Sequence, residues 1–180
     1  MCEIKKTTTF IKKLINLKTI GLLSDTHNYI DDVVYTFFSN CDEIWHAGDF
    51  GNIETADKLA KFKPLKGVYG NIDDHNVRNV YPEFIRFNCE GVDTLITHIG
   101  GYPQHYNKNL LPVLKQNPPK LLITGHSHIL RIMYDNKFNL LFINPGAAGN
   151  YGFHKQITMV RFVINKSEIK DVDVYDRARH

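Results

Sequence analysis

Short apolar runs alternate with amphipathic stretches over the first two-thirds of the chain, and this alternation limits the fold more than any other feature. Runs such as TIGLLS, EIWHAG and LKGVYG have the length and the polar borders of buried strands. Apolar residues at helical spacing predict helices over 30–38, 54–62 and 105–116. From ILRIMYD onward only strand patterns occur. We therefore expect an α/β protein in which two sheets pack face to face with helices outside.

Residues that can bind a metal follow the ends of five predicted strands. They are Asp25 and His27 in SDTH, Asp49 in HAGD, Asn71 in YGN, His98 in ITH, and His126 and His128 in TGHSH. Taken singly, each has an ordinary explanation as a turn residue, a helix cap or a packed imidazole. Turns alone do not explain the coincidence at five strand ends, because ligands of open α/β sheets lie at the carboxyl ends of strands. We expect the seven side chains to meet at one edge.

The chemistry of these side chains indicates which ions they bind. Carboxylate and imidazole ligands without a thiolate favour Mn, Fe, Ni or Zn over a structural zinc–thiolate site. Seven ligands are too many for one tetrahedral ion, and they suit two ions about 3.5–4 Å apart that share a carboxylate. Such a pair acidifies a bridging water and clamps a phosphate for in-line displacement. The predicted cofactor is a pair of divalent ions, with Mn²⁺ as the first choice.

The order of the motifs, SDTH … HAGD … GNID … TH … GHSH … NPG, resembles that of the calcineurin-like metallophosphoesterases. The size of the chain is similar to that of their small single-domain phosphodiesterase branch. The resemblance extends from Ile20 to about Val163. It implies the metallophosphoesterase fold, a four-layer α/β/β/α sandwich of two mixed sheets with flanking helices.

The resemblance also implies a role for each ligand and a reaction. Asp25, His27 and His128 would hold the first metal, Asn71, His98 and His126 the second, and Asp49 would bridge them. Asp49, Asn71 and His98 are the candidate catalytic residues. The implied enzyme hydrolyses a small phosphate ester, a phosphodiester ahead of a monoester, by in-line attack of a hydroxide that bridges the metals.

The residue directly after the Gly-Asn motif differs from the one found in many larger members of that family. Many of them carry a histidine directly after the Gly-Asn motif, where it protonates the leaving oxygen, whereas this chain has Ile72. Isoleucine cannot transfer a proton, and the small branch also commonly lacks the histidine. The general acid is left open between His75, a metal-bound water and none.

Four further polar residues lie close to the motifs. Asp73 is either an acceptor that orients a ligand or a solvated turn carboxylate, and His46 is expected to pack rather than to bind metal. Asn144 in the Asn-Pro-Gly turn is expected beside the metal site. His154 is a candidate for contact with a phosphate.

The segment HIGGYPQHY is longer than the usual His-Gly turn of the family. Its glycines permit a hinge or close backbone approach. Tyr102, His105 and Tyr106 could wall a substrate pocket, and the alternative is an ordinary surface loop.

The net charge of +3 comes from the N-terminus rather than from the predicted domain. Residues 1–18 hold five lysines and one glutamate, which gives +4, so residues 19–180 carry −1. We interpret 1–18 as a basic extension, either disordered or a loosely docked helix, and 19–180 as a single domain. A domain without net positive charge disfavours nucleic acid as a partner, and with it a nuclease.

Cysteine usage and hydropathy indicate a cytoplasmic protein without a membrane partner. Cys2, Cys41 and Cys89 are scattered, odd in number and free of any CxxC pair, which is typical of a reducing compartment. No apolar run approaches the roughly 18 residues of a membrane span. A homodimer is left open.

A function of another class is also compatible with the predicted fold. Some proteins of this fold are non-catalytic scaffolds, such as the retromer subunit that resembles a small metallophosphoesterase. Lost metal ligands would mark such a scaffold, and here all seven are present.

Overall fold

Two five-stranded sheets form the centre of residues 17–179, the part of the chain that the computed structural model describes. Sheet A contains β1 (Leu17–Leu23), β2 (Glu43–His46), β3 (Leu65–Gly67), β11 (Gln156–Asn165) and β12 (Glu168–Ala178) in the order β12-β11-β1-β2-β3. Sheet B contains β4 (Phe84–Cys89), β5 (Val92–Thr97), β8 (Leu121–Ile123), β9 (Leu130–Asp135) and β10 (Leu140–Pro145) in the order β4-β5-β8-β10-β9. Each sheet has three parallel strands. In sheet A, β1-β2-β3 continue on the β1 side into the antiparallel pair β11-β12, and in sheet B, β5-β8-β10 have an antiparallel neighbour on each side, β4 and β9. Both sheets are therefore mixed, as the sequence predicts.

The alternation of buried side chains explains how the layers stack. In β1, Ile20 and Leu22 belong to the core between the two sheets, whereas Leu23 belongs to the core under the helices of sheet A. In β8, Ile123 faces the same central core and Leu122 faces a third core on the far side of sheet B. Because successive side chains of a strand point to opposite faces, each strand serves two cores.

Four helices within residues 17–179 cover the outer faces of the sheets. They are α1 (Asp32–Phe37), α2 (Ile53–Phe62), α3 (His75–Val80) and α4 (Leu111–Gln116). Val34, Leu59 and Val77 attach the first three to sheet A, and Leu114 attaches α4 to sheet B. The four-layer α/β/β/α sandwich is thus confirmed. The sequence does not predict α3, because one and a half turns carry too few apolar residues to show a helical period.

The helix predicted over 105–116 is wrong in its first half. A small hairpin of β6 (Gly101–Tyr102) and β7 (His105–Tyr106) stands there instead. Tyr106, Leu110 and Leu114 share the outer core of sheet B, so their spacing of four mimics a helix although only the last of them is helical. The buried Tyr106 hydroxyl donates to Asp135 at 2.6 Å, which holds the hairpin against the sheet.

The first strand begins before the predicted domain boundary. Leu17 and Lys18, which the charge pattern assigns to the extension, are the first residues of β1. The Lys18 ammonium pairs with the buried Glu43, which also accepts from Lys66 and from the Trp45 indole nitrogen. Burial alone would raise the pKa of Glu43, but these three donors hold it below its ordinary value. The remaining interpretation of residues 1–18 falls on positions outside the described residues.

Within residues 17–179 no helix combines the length and the apolar character needed to cross a membrane.

Two N-terminal deletions should differ in stability. Removal of residues 1–16 leaves β1 and the Lys18–Glu43 pair intact, so we expect the melting temperature to stay within about 2 °C, the shift that a few tenths of a kcal/mol produces. Removal of 1–18 takes one partner from a buried carboxylate and should cost about 1–3 kcal/mol, or at least about 2–4 °C. Calorimetry of both chains, with full-length Lys18→Met as the matched charge control, measures the difference. An equal loss on removal of 1–16 would mean that this segment covers an apolar surface of the domain.

Candidate metal centre

The seven predicted ligand positions lie where the parallel strands of both sheets end. From sheet A come Asp25 and His27 after β1, Asp49 after β2 and Asn71 after β3; from sheet B come His98 after β5, and His126 and His128 after β8. The side chains form two adjacent clusters, and each cluster draws on both sheets.

The first cluster consists of Asp25, His27 and His128. One potential ligand atom from each lies within 4.8 Å of the others. The Nε2 atoms of the two imidazoles are 3.3 Å apart, and Asp25 Oδ1 lies 3.1 Å from His128 Nε2. Despite that short distance, Asp25 Oδ1 is fully buried and makes no hydrogen bond. A buried carboxylate oxygen without a donor is rare, and a cation in this cluster would satisfy it.

The second cluster consists of Asp49, His98 and His126, again within 4.8 Å of one another. Asp49 Oδ2 lies 3.2 Å from His98 Nε2, and Asn71 Oδ1 lies 3.1 Å from the same nitrogen. Asp49 Oδ2 is also 3.7 Å from Nε2 of His27 in the first cluster. Asp49 therefore stands between the clusters, and the structure brings all seven predicted positions together.

The backbone at these positions adopts an uncommon conformation. Five of the seven have positive φ: Asp25 (54°), His27 (47°), Asp49 (58°), His126 (67°) and His128 (56°). Only a few per cent of non-glycine residues do so, although Asp is among the types that tolerate it. Such conformations persist where the surrounding structure enforces them, and they cluster at functional sites. After β1, β2 and β8 the chain leaves the strand through residues in the left-handed conformation, which carry five of the seven candidate ligands.

Asp49 and His98 stabilise each other's charged forms. Burial by itself would raise the pKa of Asp49, but the hydrogen bond and charge of His98 hold it below its ordinary value. Burial would lower the pKa of His98, yet Asp49 and Asp25 together raise it. A divalent cation bound here would likewise place positive charge beside Asp49 and stabilise its ionised form.

Hydrogen bonds behind the imidazoles orient their nitrogens. His98 Nδ1 lies 2.7 Å from the Ala47 carbonyl oxygen and donates to it, which leaves Nε2 facing Asp49. His128 Nδ1 lies 2.9 Å from Nδ1 of His154, whose Nε2 donates to the Gly149 carbonyl at 3.1 Å. His154 Nδ1 must then accept, so His128 keeps its proton on Nδ1 and presents a free Nε2 to the cluster. Burial lowers the pKa of His154, which favours this neutral form.

His154, predicted as a candidate for phosphate contact, thus lies behind a ligand position. Its hydrogen bond to His128 joins residues 26 positions apart in the chain.

Asp73 holds the loops that carry two of the candidate ligands. Its buried carboxylate accepts from the backbone nitrogens of Gly51 and Gly70, both at 2.7 Å. This favours the orienting alternative over a solvated turn residue, although Asp73 acts on backbone rather than on a ligand side chain. Gly70 itself has no room for a side chain, because a Cβ there would lie 2.0 Å from Asp49 Oδ1.

Asn144 holds the loop of sheet B in a similar way. Its Nδ2 donates to the Gly125 carbonyl at 2.7 Å, and its Oδ1 accepts from the Gly146 backbone nitrogen at 2.9 Å. The loop that it fixes carries His126 and His128. Its side-chain contacts are to the loop, which places it beside the site as the Asn-Pro-Gly motif suggests.

His46 is a buried packing residue. It stacks on Phe50 with ring centroids 3.7 Å apart, and its Nδ1 accepts from the Gly48 backbone nitrogen at 3.1 Å. Its Nε2 lies 3.0 Å from the Thr26 hydroxyl, a contact that the sequence does not indicate. Burial lowers the pKa of His46 well below its ordinary value, so it is neutral.

Arg78 supports the Asn71 loop and is a residue that the sequence gives no reason to select. Its guanidinium donates to the carbonyls of Asp73 at 2.7 Å and of Asn71 at 3.2 Å, and it lies over the Tyr69 ring. Only the register of α3, which the sequence does not predict, brings Arg78 back to this loop.

Tyr102, His105 and Tyr106 of the HIGGYPQHY segment do not line the cavity that Asn71 and His98 border. Tyr102 lies on the hairpin next to His105, under the guanidinium of Arg131, and Tyr106 is buried. The surface-loop alternative therefore holds for Tyr102 and His105. The predicted candidate acid His75 is exposed and contacts Asn79.

Comparisons with known proteins identify relatives of the chain. A family model described as calcineurin-like phosphoesterase superfamily domain matches residues 19–167. A probable metallophosphoesterase from Methanocaldococcus jannaschii is 33% identical over 153 residues, which cover 81% of this chain and 74% of that protein.

Two solved structures show the same fold. A novel archaeal phosphodiesterase is 22% identical with a TM-score of 0.67, covering 87% of this chain and 99% of that one. Vacuolar protein sorting 29 from Entamoeba histolytica, in complex with Zn²⁺, is 18% identical with a TM-score of 0.69, covering 90% and 99%.

Loss of His154 should weaken metal binding at the first cluster. In His154→Ala the His128 Nδ1–H loses its acceptor, and outer hydrogen-bond partners of ligand histidines typically contribute about 10–100-fold in affinity. We expect one of two Mn²⁺ dissociation constants to rise by about that factor in a competitive titration. The exposed His75→Ala serves as the control and should leave both constants unchanged. Equal affinities in His154→Ala and the unaltered protein would show that His154 does not orient His128.

Proposed function

The chain belongs to the calcineurin-like phosphoesterase superfamily, and from this premise we propose that it is a phosphodiesterase that works with two divalent metal ions. The observation that carries the proposal is the position of Asp49 between two complete clusters of nitrogen and oxygen ligands. Membership of the family by itself supports a metal-dependent phosphoester hydrolase.

The residues present fit a pair of ions. Asp25, His27 and His128 would hold one, Asn71, His98 and His126 the other, and Asp49 would contact both. The set contains imidazole, carboxylate and amide donors but no thiolate, which suits Mn²⁺ first and Fe, Ni or Zn next. When bound, two such ions supply an acidified water and neutralise charge for in-line displacement at phosphorus.

The side chains around the centre fix its geometry before a substrate arrives. Asp49 is held by the Ile72 backbone nitrogen, which donates to Oδ1 at 3.1 Å and leaves Oδ2 for the clusters. Asn71 and His98 border an adjoining cavity. Two of the three candidate catalytic residues therefore face the cavity, which is the side from which we expect a phosphate ester to approach.

Ile72 favours diesters and good leaving groups. Its side chain is 45% exposed beside the second cluster, where it has no proton to give. His75 is bonded to Asn79 instead of to either cluster. Without a side-chain acid, the leaving oxygen departs as an anion or takes a proton from solvent. A diester also brings one fewer negative charge to the nucleophile than a monoester.

Two other functions have weaker support. A scaffold of this fold is the main alternative, and a scaffold that kept the seven ligand positions would also bind metal, so metal content alone does not separate the two functions. Turnover is therefore the deciding measurement. A nuclease would need a basic groove, which a charge of −1 over residues 19–180 does not favour.

Substitution of the two carboxylates should affect metal content unequally. Asp49→Ala removes the group shared by both clusters, so elemental analysis after Mn²⁺ loading and desalting should fall from near two ions per chain to near zero. Asp25→Ala should retain about one ion, because it serves only the first cluster. An Asp49→Ala protein that keeps both ions and its turnover would disprove the shared role. Zero ions in the unaltered chain would remove the enzyme proposal altogether.

The rate should fall steeply with leaving-group basicity. Across a series of aryl methyl phosphodiesters we expect kcat/KM to drop as the pKa of the departing phenol rises, because no side chain protonates it. Ile72→His should raise the rates of the poorest leaving groups most, by up to about 10²–10⁴-fold if the imidazole is aligned. Ile72→Asn, polar but unable to act as an acid, is the matched control. A flat dependence in the unaltered enzyme, with chemistry rate-limiting, would reveal a proton donor elsewhere.

A further inference from the structure

A cavity of about 660 Å³ opens directly beside the second cluster. Asn71 and His98 form one of its walls, and the segment before α4 forms another. Its volume lies within the range of roughly 300–1,000 Å³ that is usual for small-molecule sites. A phosphate placed between the clusters would therefore have one of its ester groups at the mouth of this cavity.

The cavity has an apolar wall that is exposed to solvent. Phe84 (62% exposed), Ile99 (43%) and Val113 (39%) come from three separate segments and converge on it, with Leu95 and Leu110 buried behind them. Large apolar side chains left in water by three different segments at one cavity indicate a ligand that covers them.

The cationic groups of the cavity are already paired. Arg86 makes two bonds to Asp93, at 2.6 and 3.0 Å, and a third to the Asn117 carbonyl at 2.9 Å. Arg78 is bonded to the backbone of the Asn71 loop. The carboxylate of Glu83 also lines the cavity and would repel a second phosphate. The walls are thus unsuited to a polyphosphate chain and suited to an uncharged group.

We propose that this cavity binds one ester group of the substrate, and that this group is uncharged and aromatic or similarly apolar. The proposal rests on the proposed function, because it places the phosphate on the metal centre. It names the substrate class as a phosphodiester with at least one aryl-like substituent. A rigid planar ring covers the wall formed by Phe84, Ile99 and Val113 at a small cost in conformational entropy.

Binding of unreactive analogues tests the cavity separately from catalysis. O-methyl phenylphosphonate and O-methyl methylphosphonate carry the same single charge and differ only in the ring. Calorimetry with the Mn²⁺-loaded full chain should show the phenyl compound binding at least about tenfold more tightly, since even one methylene in an apolar pocket contributes about tenfold or more.

Two substitutions away from the ligand positions should remove this advantage. Val113→Asp places a charge on the wall and Phe84→Ala removes part of it, so the ratio of the two dissociation constants should fall toward one. Phe84→Ala should leave the affinity for the methyl compound unchanged, and the charge repulsion added by Val113→Asp acts on both anions alike, so that it does not alter the ratio. Val174→Asp, at a partly exposed valine on the edge strand of sheet A, is the matched control and should preserve the ratio.

The outcomes separate the two proposals. A ratio near one in the unaltered chain, or a ratio that survives both substitutions, overturns the cavity proposal even if diesters are hydrolysed, and leaves the apolar wall to a protein partner. A ratio above ten that both substitutions abolish supports it, even if hydrolysis of every diester fails and the proposed function falls.

Discussion

The arrangement of the metal centre depends on two buried carboxylates, Asp25 and Asp49, which follow the neighbouring parallel strands β1 and β2. An ionised carboxylate away from water is costly unless it is paired and hydrogen-bonded. Asp25 accepts from the His126 backbone nitrogen at 3.1 Å, and Asp49 accepts from that of Ile72 at the same distance. Imidazoles surround the remaining oxygens. The left-handed turns and the side chain of Asp73 keep these groups close despite the repulsion between two like charges.

The sequence predicts those features that depend on residues close together in the chain, such as a strand and the candidate ligand that follows it. Each candidate ligand follows an apolar run within a few residues, so strand topology alone brings Asp49 and His98 together. The contact of His154 with His128 depends on the path of the loop between β10 and β11. The contacts of Arg78 depend on α3, a helix with too few apolar residues to show a helical period. The spacing of Tyr106 and its neighbours was misleading because a hairpin and a helix share one core there.

The two clusters and the adjoining cavity are built from different parts of this fold. The clusters sit on strand ends that every member of a two-sheet sandwich possesses, and the adjoining cavity is walled by the segments around Tyr69, Phe84 and Val113. Those segments are loops, a strand end and a short helix, which tolerate change more readily than the central strands. The same fold can therefore serve an esterase or a scaffold, and the residues at the site determine which function a protein has.

Because each cluster takes ligands from both sheets, bound ions would join the two halves of the sandwich as a cross-link does. An ion at a hundred times its dissociation constant adds about 2.7 kcal/mol to folding, against a typical total of about 5–15 kcal/mol. Metal supply would then govern the survival of the folded chain as well as its chemistry. In a metal-starved cell a larger fraction of the chains would be unfolded and open to proteolysis, so the quantity of polypeptide would fall with the concentration of available ion.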